Sequence, residues 1–267
     1  SALEVFLTEL TAMAAFPLML PGTSRPPKLV VFDLDHTLIA CDATILWTEF
    51  LYEKKIVTDP IWRQYDRDMV KSYAKGVLDI RDFCRKHAGA FRSIPEEKLH
   101  ALAQEFAKKK IAPLIFPDGK KWVKNALQAN IPACVLSASA AFIVKPIAKL
   151  FGLTDAMGIE LAFKDGFCTG EIVGIPTFQE GKVERLSQRL TEAGIGFEDV
   201  LFFTDSRNDL PLAERAGYTV CVNPDAVLES AARKNGWKVA EWKLSLRTQM
   251  TAQVDAKGVP ETQTVRS

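Results

Sequence analysis

The chain has 267 residues, 48% apolar and 25% charged, the balance of a globular protein with either one large domain or a core and a smaller companion. Its 34 basic and 33 acidic side chains leave a formal charge of +1, which gives no attraction for nucleic acid or an anionic membrane and points to a small-molecule partner. The five cysteines (Cys41, Cys84, Cys134, Cys168, Cys221) are scattered and lack a Cys-x-x-Cys spacing, so they read as reduced thiols of a cytoplasmic protein rather than a disulfide framework or zinc site.

Residues 1–27 form an N-terminal extension. Its apolar stretch from Leu10 to Leu20 contains Pro17, is too short to span a bilayer, and lacks the basic start and cleavage site of a secretory signal. It is expected to be a helix packed on the body or engaged in self-association. The Pro- and Gly-rich run from Pro21 to Pro27 then leads into the first strand.

That strand organises the chain. Leu29 to Phe32 is an uninterrupted apolar run, as suits a strand buried on both faces of a parallel sheet. It delivers Asp33 and Asp35, then His36 and Thr37, at its carboxyl end, where open α/β sheets place their ligand chemistry. From residue 42 to 115 only helical spacing is visible. Thr44 to Tyr52 is one helix, the Ile61, Trp62, Tyr65, Met69, Tyr73 series another, and Ile94-Pro95-Glu96-Glu97 opens a third. About 70 residues is far beyond an ordinary strand-to-helix connection, so the segment reads as a helical insertion over the end of the first strand.

Alternation of strands and helices then resumes. A helix over Lys120–Ala129 precedes a short strand, Ala133–Leu136, ending in Ser137-Ala138-Ser139. A helical region interrupted near Pro146 follows, then a hairpin over Leu161–Ile172 turning at Lys164-Asp165-Gly166. Val183, Leu186 and Leu190 mark a helix closed by Gly194. The strand Val200–Phe203 ends in Thr204-Asp205-Ser206-Arg207-Asn208-Asp209, and Tyr218–Val222 is the last clear strand. Pro224 is placed as the first residue of the next helix. The tail, 244–267, has no sustained pattern. Alternating elements imply a mainly parallel sheet with right-handed crossovers, so the polar strand ends Asp33/Asp35, Ser137 and Asp205/Asp209 should meet on one edge.

Carboxylates crowded at one edge repel each other unless a cation joins them, and an all-oxygen donor set suits Mg²⁺. With the Lys182 ammonium and the Ser137 hydroxyl added, the cluster makes a pocket for a phosphoryl group. One carboxylate left free can attack in line and give an aspartyl phosphate.

These motifs, in this order, resemble those of the haloacid dehalogenase-like phosphatases, in particular the phosphoserine-phosphatase-like branch with a helical cap inserted after the first motif. The likeness spans about residues 28–240. Asp33-Leu34-Asp35-His36-Thr37 is similar to the first motif, with His36 where glycine is commonest; Ser137, Lys182 and Thr204–Asp209 match the other three. The resemblance implies an α/β fold: a Rossmann-like three-layer core (28–41 and 116–243) and an inserted all-helical cap (42–115). It implies Asp33 as nucleophile and Asp35 as general acid and then base. Asp33, Asp205 and the Asp35 carbonyl would hold Mg²⁺, with Asp209 ordering its waters, while Ser137, Lys182 and Asn208 would bind phosphate. Thr37 would order the first loop, and His36 is given a loop role.

Asp42 stands where phosphoserine phosphatases carry a carboxylate for the substrate amine, and it is equally suited to cap a helix. None of the cap arginines (Arg63, Arg67, Arg81, Arg85, Arg92) matches the one those enzymes use for the substrate carboxylate. The expected activity is hydrolysis of a small phosphorylated metabolite, an amino-alcohol phosphate such as histidinol phosphate, or phosphoserine. A phosphotransferase using the same aspartyl phosphate, and a phosphate-responsive binding module, are the competing readings.

Overall fold

The computed structural model describes residues 19–23, 25–246 and 248–249. The expected N-terminal helix and most of the C-terminal tail lie outside them. The centre is a six-stranded, all-parallel sheet. In chain order its strands are β1 (Leu29–Phe32), β2 (Ala133–Ala140), β3 (Ala156–Ile159), β6 (Val200–Thr204), β7 (Tyr218–Val222) and β8 (Lys238–Ala240); β4 (Leu161–Lys164) and β5 (Phe167–Ile172) form a separate antiparallel hairpin. The spatial order β3-β2-β1-β6-β7-β8 places β1 in the middle, with Val31 opposite Cys134 on one side and Phe202 on the other. The strands carrying Ser137 and Asp205 therefore flank the strand that delivers Asp33 and Asp35.

The apolar run of β1 serves both layers. Val30 and Phe32 face a large core containing Val123 and Ala126 of α5 (Pro117–Gln128). Leu29 and Val31 face the opposite core, with Leu186 and Leu190 of α7 (Glu180–Ala193). The pleat sends alternate residues to opposite faces, so four consecutive apolar residues are what a central strand needs. Burial on both faces follows.

Between β1 and α5 the chain is helical: α1 (Ala43–Glu53), α2 (Ile61–Ala74), α3 (Ile80–Ala88) and α4 (Glu96–Phe106), closed by a π turn and a 3₁₀ turn over Ala107–Leu114. Trp47 of α1 is fully buried and packs edge-on against Phe91 and Phe106, and against Phe142 of α6 (Ala141–Lys149). The helical insertion is thus fastened to the core through one aromatic cluster. The β4–β5 hairpin also serves the insertion. Gly170 (φ +82°) sits where a Cβ would lie 2.7 Å from that of Ala88, and the Pro95–Phe167 bridge and an Arg85–Glu171 ion pair complete the contact.

Some local expectations change. β2 runs through Ser137 to Ala140, its pairing with β3 slipping between Leu136 and Ala140, so Ser137 lies within a strand rather than beyond its end. Helix α6 continues through Pro146 without interruption. Pro224 is not the first residue of its helix: Asp225 caps the helix Ala226–Asn235 by accepting from Leu228 N, leaving Pro224 outside.

Candidate active site

Asp33 follows directly on β1, its N–H donating to the Phe203 carbonyl (2.9 Å), so the parallel ladder itself aims it at the carboxyl edge of the sheet. Lys182, in the first turn of α7, is 1% exposed and lies 2.9 Å from Asp33 Oδ1 and 2.9 Å from Asp209 Oδ1. Burial alone would push its ammonium down, but Asp209 and Asp33 outweigh that and hold it well above the ordinary lysine range. Lys182 is a fixed cation.

Asp205 faces Asp33. Burial first, then the charges of Asp33 and Asp209, push its carboxyl well above the usual range, and it accepts a 3.3 Å hydrogen bond from Thr37. Asp209 is 1% exposed, pushed up to about 6 by burial against the pull of Lys182, and accepts from Thr204 (2.7 Å). One ammonium therefore sits among three carboxylates.

Asp35 lies beside this group, on the chamber side. Its Oδ1 accepts from the Ala43 N–H at 2.5 Å, and its Oδ2 accepts from the Ser137 (3.2 Å) and Ser139 (3.0 Å) hydroxyls. Burial and the neighbouring Asp42 raise its carboxyl to about 6. His36 takes up the turn that follows with φ +56°, which explains why glycine suits this position; the residue is exposed at the chamber lining. Asp42 caps α1 by accepting from Ile45 N (3.0 Å) and also lines the chamber, so both roles read from the sequence have a structural basis.

The chamber is about 410 Å³. Asp33, Asp35, Asp205, Ser139, Ser206 and Asn208 form its floor, and Ile45, Met69, Val70, Ile80 and Phe83 its walls. Ser137, Lys182 and Asp209 stand behind the floor rather than in it. Asn208 is turned toward the insertion: its amide donates to the Tyr73 carbonyl (2.9 Å) and accepts from Gln179 (3.0 Å). Gln179 reaches the Gly76 carbonyl (3.3 Å) from a backbone at φ 49°, ψ −124°, a region where side chains are strained.

Tyr73 descends from α2 onto the floor and hydrogen-bonds Ser206. Burial and the charges of Asp33, Asp209 and Asp205 keep its hydroxyl protonated. The sequence places Tyr73 in a helical aromatic series, and it assigns no site role to Gln179, Ser139 or Thr44. Only Ser139 had a signal, since Ser137 and Ser139 are two apart and share one face of a strand.

Among the described residues no three His, Cys, Asp or Glu side chains converge as a metal cage. Asp209 Oδ2 accepts from Lys182 and Thr204 while its buried Oδ1 has only the Lys182 ion pair and no hydrogen-bond partner, and Asp33 and Asp205 are facing carboxylates in excess of the available positive charge. Two carboxylates fit Mg²⁺, which keeps several waters and takes few protein ligands.

The model of the haloacid dehalogenase-like hydrolase family matches residues 30–214. A histidinol-phosphatase of Neisseria meningitidis serogroup C is 35% identical over 220 residues, 81% of this chain and 99% of that protein. A solved structure of a protein of unknown function from Bordetella pertussis Tohama I superposes with a TM-score of 0.72 at 32% identity, covering 79% of this chain and 96% of its own. The fold is also that of phosphoserine phosphatase captured as a phospho-aspartyl intermediate analogue (TM-score 0.61, 21% identity, 85% of this chain and 99% of that one). With the family model spanning the strand ends that carry Asp33, Asp35, Ser137 and Asp205, the chain belongs to the haloacid dehalogenase-like hydrolases.

Proposed function

We propose that the protein is a Mg²⁺-dependent phosphomonoesterase that works through an aspartyl phosphate on Asp33. The observation that carries this reading is the pairing of two unlike carboxyl groups at one chamber floor. Asp33 is held against the buried Lys182 ammonium, while Asp35, raised to about 6, has a far larger protonated fraction near neutral pH than an ordinary carboxyl and so can give a proton. Asp33 attacks phosphorus as the ester bond breaks, and Asp35 passes its proton to the departing alcohol. Asp35, now ionised, takes a proton from the water that attacks the phosphoryl group, returning Asp33 as a carboxylate with inorganic phosphate released. Asp33, Asp205 and the Asp35 carbonyl would hold Mg²⁺, which supplies neutralisation of the phosphate charge. Lys182 fixes Asp33 from behind, with Asp209 and Thr204 fixing Lys182 in turn. Ser137 serves the phosphoryl group when Asp35 is protonated and no longer claims its hydroxyl.

The chamber selects the rest of the substrate. No lysine or arginine lines it among the described residues, so a substrate carboxylate meets no fixed cation and only the His36 imidazole, whereas Asp42 can receive an ammonium. Apolar walls with Asp42 and Asp225 as the acidic side chains beyond the floor suit an amino-alcohol phosphate with a ring or hydrocarbon body. Histidinol phosphate has this chemistry, and the Neisseria relative carries that name. The five unpaired thiols suit a cytoplasmic setting. The test is phosphate release from a panel of monoesters with Mg²⁺, for wild type and Asp33→Asn. Metal-dependent release that favours histidinol phosphate over phosphoserine and is lost in the variant is expected. Faster hydrolysis of phosphoserine would overturn the substrate class, and release that survives Asp33→Asn would overturn the mechanism.

A further inference from the structure

Asp35 must present its carboxyl to the leaving oxygen in one orientation, yet it sits at the start of a loop whose next residue, His36, has a left-handed backbone. Its Oδ2 is gripped by two hydroxyls. Ser137 already belongs to the phosphate-binding set. Ser139 does not: it is 6% exposed, its hydroxyl donates to Asp35 Oδ2 at 3.0 Å, and its own N–H donates to Ser137 Oγ at 3.1 Å. The far side of the Ser139 hydroxyl meets Thr44 Oγ1 at 3.3 Å, and Thr44 is 8% exposed in the first turn of α1, beside the Ala43 N–H that binds Asp35 Oδ1.

We propose that Ser139 is a positioning residue for Asp35, held in turn by Thr44, so that the acid is aligned when the first cap helix is seated on the core. The proposal rests on Asp35 acting as the general acid.

The pair suits both states of the reaction. While Asp35 carries its proton, the Ser139 hydroxyl can turn to donate to Thr44 and leaves a lone pair facing the acid. In the first step the bond from Asp33 to phosphorus forms and the ester P–O bond breaks, its electron pair passing to the leaving oxygen. The Asp35 proton moves to that oxygen, and Ser139 turns back to donate to the new carboxylate. A lone serine in an apolar wall would lose its partner at one stage; with Thr44 it keeps one throughout.

A residue that aligns the acid matters most when the leaving group needs a proton. The experiment measures kcat/KM for histidinol phosphate, an alkyl ester, and for p-nitrophenyl phosphate, whose anion departs without one. Wild type, Asp35→Asn, Ser139→Ala, Thr44→Val and Thr44→Ser are compared. In Ser139→Ala the ratio of alkyl to nitrophenyl kcat/KM is expected to fall by roughly tenfold to a hundredfold, less than the roughly 10²–10⁴-fold of a whole general acid and in the same direction as in Asp35→Asn. Thr44→Val should lower the ratio less, and Thr44→Ser, which keeps the hydroxyl, should restore it. If Ser139→Ala fails to fold, the near-isosteric Thr44→Val and its serine rescue carry the comparison.

An unchanged ratio in Ser139→Ala, or equal losses on both esters, overturns the positioning role while Asp35→Asn still shows its selective loss. A ratio unchanged in Asp35→Asn itself overturns the acid assignment beneath the proposal, which is a separate result.

Discussion

Lys182→Met removes one charge and little volume from the most constrained point of the site. The ammonium is 1% exposed and lies 2.9 Å from Asp33 and from Asp209, both within 3% exposure or less. At an effective dielectric near 20, one pair at about 3 Å is worth about 5 kcal/mol, most of it offset by desolvation of the charges. Taking away one partner of such a buried pair costs about 3–5 kcal/mol, a large share of the roughly 5–15 kcal/mol that holds a domain folded. The loss should depend on pH, because what remains is carboxylate repulsion. Burial already raises Asp209 to about 6 and Asp205 well above its ordinary value, so the folded state retains protons that the unfolded chain releases near pH 4. Stability therefore falls as pH rises through that window, and without Lys182 the folded-state values move up and the decline extends further. Urea unfolding followed by tryptophan fluorescence at about pH 5.5 and about pH 8 measures this; the loss should be larger at the higher pH by about 1.4 kcal/mol for each further unit of carboxyl shift. A loss of the same size at both pH values would refute the claim that the lysine's structural work is to neutralise Asp33 and Asp209.

Three more outcomes follow from the same geometry. Mg²⁺ should raise the melting temperature of wild type, by the equivalent of about 2.7 kcal/mol at a hundred times its dissociation constant, and Asp205→Asn should abolish most of the shift; equal shifts in both would remove Asp205 from the metal set. Trp47→Ala should cost about 3–5 kcal/mol in denaturant unfolding, as for other fully buried aromatics, and Trp47→Phe much less, since it also deletes a buried indole N–H without a hydrogen-bond partner. Asp66 of α2 is 4% exposed and burial pushes its carboxyl up to about 7, so wild type loses stability as pH rises from about 4 to about 7. Asp66→Asn removes that titration, and its unfolding midpoint relative to wild type should improve between about pH 4 and about pH 8.

The strand ends were legible in the sequence because burial on both faces demands consecutive apolar residues, and a polar cluster after such a run has only one edge to occupy. β1, β2, β6 and β7 were read this way, and Asp33, Asp35, Ser137, Asp205 and Asp209 meet where parallel pairing requires. Two strands, β3 and β8, lack the signal. β8 (Lys238–Ala240) is an outer strand with two of its three residues exposed, and β3 (Ala156–Ile159) consists of small or flexible residues without a β-branched run. Asn208 illustrates a different gap. Its place beside Asp209 was plain, but its engagement with the Tyr73 carbonyl and with Gln179 joins segments 135 and 29 residues away, and nothing local records such pairings.

The chamber walls were illegible for a deeper reason. Met69 lies on α2 and Ile80 and Phe83 on α3, and helical periodicity cannot separate a residue packed on a core from one facing a cavity. Met69 is 6% exposed and counts as core by burial, yet it lines the chamber. The chemistry sits on the sheet edge, where topology fixes it; the substrate-facing surface sits on helices whose pattern only says that they pack. The first cap helix joins the two, because Ala43 bonds Asp35 directly and Thr44 through Ser139, while Asp42 and Ile45 face the chamber. A change of substrate preference can therefore arise on α2 and α3 with the strand ends intact, whereas a change in the first turn of α1 disturbs selection and acid alignment together.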